Sequence, residues 1–183
     1  MKGIVFSEFI ELVEDKFGLE MADNIIEESN LPSQGAYTQV GTYDHTELIT
    51  LVGKLSEHSG IAVEDLVTLF GEHLLQRFLA LYPQFFENVN NCFDFLDTIE
   101  NKVHIEVKKL YPEAELPSFD SQQSGQSMQL IYRSNRPFSA LAYGLIRGSA
   151  SYFKENIDIE MEDRSSDHKS FVVFTLTKKE DHA

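Results

Sequence analysis

Between residues 3 and 17, the apolar side chains Ile4, Val5, Phe9, Leu12 and Val13 recur near a 3.6-residue period and predict an amphipathic helix. A second helix is expected over residues 20 to 29. The segment LPSQGAYTQVGTY carries the Pro and Gly punctuation of a loop. Asp44 then stands as an N-cap for a helix bearing Leu48, Ile49, Leu51, Val52 and Leu55, which Gly60 ends. The long apolar pattern VEDLVTLFGEHLLQRFLALY comes next and is halted by Pro83. A further helix is predicted from about Phe93 to Leu110, before Pro112 and Pro117. The period changes after Pro117. SQQSGQSMQLIYRS predicts a turn leading into a strand, and FSALAYGLIRGSASYFK a compact helix. IDIEMED alternates as a strand does, and KSFVVFTLTK is rich in β-branched residues and Phe. A helical first part followed by an antiparallel sheet with one intervening helix is an α+β domain.

Length and charge narrow the possibilities. At 183 residues, 42% of them hydrophobic, one domain of two lobes is expected: a helical lobe over about 1–60 and an α/β lobe over about 61–183. The formal net charge of −15 argues against nonspecific binding to nucleic acid or to anionic lipid. No apolar run approaches the roughly 20 residues needed to span a bilayer. The N-terminus carries Glu8, Glu11, Glu14 and Asp15, unlike a signal peptide, so a cytoplasmic protein is expected. Cys92 is the single cysteine and excludes an internal disulfide or a Cys-based metal cluster; a buried, inert thiol is its expected state.

Two places carry chemistry. In LIYRSNRPF, Tyr132, Ser134 and Arg136 stand two apart, so in an extended strand they share a face and form a fork for an anion. In an acidic chain, such an anion must be held by local donors. The second place is one of six histidines. His45, His58, His73, His168 and His182 show no metal-ligand spacing and are expected to be solvated or partly buried structural residues. His104 lies on a helix whose apolar stripe is Leu96, Ile99, Val103, Val107 and Leu110. At about 100° per residue it projects beside that stripe, in the direction of Phe93 and Tyr111. A ligand with a metal at its centre and carboxylates at its rim uses both features, and haem is such a molecule.

These residues resemble a known family, the H-NOX domains (haem nitric oxide and oxygen binding), related to the sensor domain of soluble guanylate cyclase. The likeness spans the chain. It includes MKGIVF, Gly71, Phe78, the YPQFF segment, His104, Pro117 thirteen residues after it, and GLIRGSASYFKE. Its strongest element is the family's Y-x-S-x-R signature at Tyr132, Ser134 and Arg136. The resemblance implies a helical N-terminal lobe over a lobe with a four-stranded antiparallel sheet, haem b (iron protoporphyrin IX) between them, and His104 as the proximal iron ligand. It implies that Tyr132, Ser134 and Arg136 hold the propionates and that Pro117 presses on the porphyrin. On pattern alone, Pro117 reads as a turn proline and His104 as an ordinary helix-flank residue.

Oxygen-binding members carry a distal tyrosine where this chain has Leu141, five residues after Arg136. Leu145 shares its helix face, whereas Tyr143 lies about 200° away. Val5, Phe9, Leu74 and Phe78 are the other expected distal-wall residues, with Ile4 adjacent; each also suits ordinary core packing. Bound dioxygen draws electron density and wants a donor, whereas nitric oxide binds ferrous iron without one. The expectation is therefore a nitric oxide sensor, also able to take CO, in which loss of the bond to His104 shifts the lobes and biases a separate partner. In the family that partner is usually a histidine kinase or a cyclic-di-GMP enzyme. No nucleophile–base pair or phosphate loop points to an enzyme. Two rivals stay open on the residues alone: a haem-free module for an apolar carboxylate, and a haem enzyme such as a peroxidase or NO dioxygenase.

Overall fold

The computed structural model describes residues 1–166 and 169–179. His168 and His182 lie outside the described residues. Helix α1 (Gly3–Phe17) turns at Gly18, whose φ of 93° suits glycine, directly into α2 (Leu19–Ser29). A loop leads to α3 (His45–Ser59). Asp44 caps this helix by accepting the Thr46 N–H, and Gly60 ends it in the left-handed region. The long α4 (Val63–Leu81) stops at Tyr82 and Pro83. All four of these helices match the apolar pattern of the chain to within a residue or two.

The predicted helix from Phe93 to Leu110 is present but not uniform. It consists of α5 (Cys92–Thr98), a π-helical stretch (Ile99–Val103) and α6 (His104–Leu110). A π-helical turn advances by a different angle per residue, so it rotates α6 about the helix axis relative to α5. Strand β1 (Ser118–Ser124) and β2 (Ser127–Ser134) form a hairpin around Gly125. Then come α7 (Ser139–Tyr152), β3 (Ile157–Asp163) and β4 (Ser170–Lys178). The sheet is antiparallel with order β1-β2-β4-β3, so β2 is held on both sides. No helix among the described residues is long and apolar enough to cross a membrane.

Two apolar cores result. One gathers Phe6, Phe9, Leu12, Ile25, Leu51 and Leu55 with Leu66, Phe70 and Leu74 of α4. The other lies between the sheet and helices α5 and α7, around Phe93, Leu96, Leu130, Tyr132, Ile146 and Phe174. Helix α4 serves both, since its Leu75 joins the second core. It packs on α7 through two glycines. A Cβ on Gly71 would lie 2.4 Å from the Leu141 carbonyl oxygen, and one on Gly144 would lie 2.1 Å from that of Thr68. Backbone meets backbone there, and only glycine permits it.

Candidate functional site

A cavity of about 380 Å³ opens between the two parts of the molecule, with walls that are almost wholly apolar. One wall comes from the broken helix: Leu96, Ile99, Val103, Val107 and Leu110 all face it, the same stripe that the period of that segment marks out. The opposite wall is Ile4 and Val5 of α1, Leu75 and Phe78 of α4, and Leu141 and Leu145 of α7. Tyr132, Ser134, Arg136 and Pro117 stand on the same cavity.

His104 begins α6, and its side chain, 13% exposed, is on the cavity wall. Its Nδ1 lies 3.1 Å from Glu100 Oε2. Burial lowers the imidazole's proton affinity more than Glu100 and its hydrogen bond raise it, and nearby Lys108 adds to the lowering. The net direction favours the neutral ring, the form that binds a metal. Its aromatic neighbour is Phe119, at 5.9 Å between ring centres. This corrects the expectation that Phe93 and Tyr111 flank it. Tyr111 does line the cavity, but Phe93 is fully buried beneath Lys178, because the π-helical stretch between positions 93 and 104 breaks the simple 100° count. Among the described residues, no three His, Cys, Asp or Glu side chains gather as a metal cage. A single imidazole suits a metal that brings most of its own ligands.

The anion fork is built slightly differently from its sequence reading. Strand β2 ends at Ser134, so Arg136 reaches the cavity from the turn after it. The Arg136 N–H donates to Ser134 Oγ at 3.0 Å, and Ser170 Oγ donates to the Arg136 carbonyl at 2.9 Å. These bonds fix the turn. The guanidinium pairs with Glu115, Nη2 to Oε2 at 2.5 Å, while Nη1 reaches the Glu115 carbonyl at 3.3 Å. Glu115 is 80% exposed and Arg136 only 18%. Tyr132 is buried, against Phe119, and that burial raises its hydroxyl pKa.

Two expected wall residues are elsewhere. Phe9 is fully buried in the helical core, edge-on to Phe70 at 5.2 Å, and Leu74 lies in the same core. The cavity takes Leu75, Phe78 and Tyr82 instead, a spacing that fits one helical face and turns Leu74 towards α1. Ile4 joins Val5 on the wall as expected. Tyr143 stacks on Phe174 and does not line the cavity. Tyr82 and Ser149 bring hydroxyls that the sequence reading missed. Ser149 Oγ already donates to the Leu145 carbonyl at 2.8 Å, and Tyr82 stacks on Phe85. Glu100 was also missed; an E-x-x-x-H spacing on one helix is the signal that marks it.

His45, His58 and His73 do not line the cavity. His45 sits 3.5 Å from Asp44 and His58 3.0 Å from Glu28. His73 Nε2 is buried without a hydrogen-bond partner, 3.5 Å from Glu8, whose closer partner is Arg77 Nε at 2.6 Å.

Comparison with known proteins fits this arrangement. A profile described as Haem-NO-binding matches residues 2–161. The structure of an unliganded Fe(II) H-NOX protein from K. algicida is 38% identical, with a TM-score of 0.92 over 100% of this chain and 99% of that one. An H-NOX from Shewanella woodyi, solved in the Fe(II)CO state with IWP-051 bound, is 42% identical, with a TM-score of 0.84 over 100% and 97%. Soluble guanylate cyclase gcy-37 of Caenorhabditis elegans is 24% identical over 93% of this chain, which spans only 26% of that relative's length. The fold agrees with these matches, and the chain belongs to the Haem-NO-binding, or H-NOX, family of haem-binding gas-sensor domains.

Proposed function

We propose that this chain holds ferrous haem b in the cavity between its lobes and acts as a nitric oxide sensor rather than an enzyme. One observation carries the reading: a largely buried imidazole and a Tyr–Ser–Arg rim stand on a single apolar cavity. The residues fit the group. The walls suit an apolar macrocycle, and His104 supplies one nitrogen for its iron. Arg136, with the hydroxyls of Tyr132 and Ser134, supplies donors for two carboxylates. Arg136 already holds a carboxylate there, that of exposed Glu115, so a propionate would replace like with like.

Bound haem would supply a ferrous iron able to take a diatomic gas, with His104 holding that iron. The chain decides which gas. Leu141, Leu145, Val5 and Phe78 offer the gas no hydrogen-bond donor, and Tyr143 is turned away. A wall of these side chains disfavours dioxygen and leaves nitric oxide and CO unaffected; of the cavity's hydroxyls, Ser149 Oγ already donates to the Leu145 carbonyl and Tyr82 stacks on Phe85. His104 heads α6, directly after the π-helical stretch, so loss of its tie to a bound group would free both and would let the lobes repack. That two-state shift biases a separate cytoplasmic partner, a histidine kinase or a cyclic-di-GMP enzyme. Pro117 lines the same cavity as His104 and would bear on a macrocycle held there.

The test is spectroscopic. Protein reconstituted with haem is expected to show an intense Soret band, lost or strongly shifted in His104→Ala. Unchanged colour and coordination in that variant would overturn the reading. Ferrous protein in air is expected to form no stable oxygen complex, and Leu141→Tyr to gain one; a stable complex in the unaltered protein would remove Leu141 as the basis of gas selection.

A further inference from the structure

Glu100 stands at a junction that neither its exposure nor its charge explains. A single carboxylate oxygen, Oε2, lies 3.1 Å from His104 Nδ1 and 3.1 Å from the backbone nitrogen of Phe119. The first contact stays within one continuous helical segment. The second crosses to β1, two residues beyond Pro117. The carboxylate therefore ties the histidine-bearing helix to the start of the sheet at the level of the cavity wall.

We propose that Glu100 is a positioning residue that sets the strength of the His104–iron bond, and with it the ease with which nitric oxide breaks that bond. The inference rests on the haem reading above. The Phe119 N–H donates to the same carboxylate oxygen, which marks that oxygen as an acceptor and places a ring proton on Nδ1. The lone pair is then on Nε2, the nitrogen a metal in the cavity requires. A carboxylate behind a ligating imidazole also raises the ring's basicity and fixes its plane. The bond from Phe119 N–H keeps the carboxylate in place although its side chain is 43% exposed. Its setting in the π-helical stretch matters too. Glu100 is the i−4 neighbour of His104, and the altered turn between them aims both side chains at the same point beside β1.

Glu100→Gln keeps the shape and an acceptor oxygen but removes the charge. Glu100→Ala removes both bonds. The experiment is resonance Raman spectroscopy of the ferrous, gas-free, haem-loaded full chain. The iron–histidine stretch is expected to fall in Glu100→Gln and further in Glu100→Ala. In stopped-flow mixing with nitric oxide, loss of His104 is expected to be roughly 10-fold faster or more in the alanine variant, in line with the effect of removing such a partner. Amide exchange at Phe119 gives a readout independent of the iron: protection is expected to persist in the glutamine variant and drop in the alanine variant. An unchanged stretch and unchanged nitric oxide kinetics in both variants, with a normal Soret band, would overturn the role of Glu100 alone. No Soret band in the unaltered protein would overturn the haem reading and this inference with it.

Discussion

The two apolar cores use the same residue types to different ends. The helical core closes on itself: Phe6, Phe9, Val13, Ile25 and Leu51 are fully shielded from solvent. Its buried carboxylates are also satisfied. Glu8 accepts from Arg77, and Glu47 accepts from Ser33 and from the Tyr37 hydroxyl at 2.8 Å. The α/β core instead leaves a row of apolar side chains facing a cavity of about 380 Å³. Val103, Val107 and Phe78 are only half-buried. Apolar surface left facing a cavity forgoes contacts that a close-packed interior makes. The first core thus has its packing within itself, whereas the second keeps apolar side chains turned to a cavity.

Substitutions can break or sharpen this contrast. The largest effect is expected for Phe9→Ala, which empties a site packed on every side. A loss of about 3–5 kcal/mol in denaturant unfolding is predicted, with the haem spectrum of the surviving folded protein unchanged. A shifted spectrum with little loss of stability would place Phe9 on the cavity after all. Gly144→Ala comes next. The added methyl meets the Thr68 carbonyl, and overpacking of this kind costs about 1–3 kcal/mol. Because α7 also carries Leu141 and Leu145, CO-binding kinetics should change along with thermal stability. The smallest effect is expected for Val107→Ala on haem-free protein, under about 1 kcal/mol, since that side chain faces the cavity and leaves no new packing void. The same change should weaken haem retention measurably, as transfer to an acceptor apoprotein would show. If Val107→Ala destabilised haem-free protein as much as Phe9→Ala, the two cores would not differ in the way described.

Most elements were legible because their signals are local. The period of apolar residues gave α1 to α4, and Asp44 and Gly60 marked the ends of α3. Strand β1 was not legible. SFDSQQS is polar, and it reads as a strand only once paired with β2, which places Phe119 opposite Tyr132 at the inner edge. The π-helical stretch was hidden because IENKV has no composition that distinguishes it from α-helix. That gap displaced the expected surroundings of His104. On α4, Leu74 and Leu75 are chemically equivalent, and only the packing of α1 against one face decides which reaches the cavity. Tyr132, Ser134 and Arg136 stood out by their spacing, whereas His104 and Pro117 read as ordinary on pattern alone and stood out only through the family resemblance. Glu100 was one of thirty acidic residues and acquires meaning only from its two partners. Cys92 behaves as its solitary count suggested: burial pushes its thiol up to about 12.

The glycine seam between α4 and α7 has a mechanical consequence. Side chains between helices act as springs, hopping rotamers to take up small displacements. At Gly71 and Gly144 there are none, so the two rods are bolted together without a cushion. At these two points a push on Leu141 or Leu145 meets the backbone of α4 directly, with no side chain between to yield.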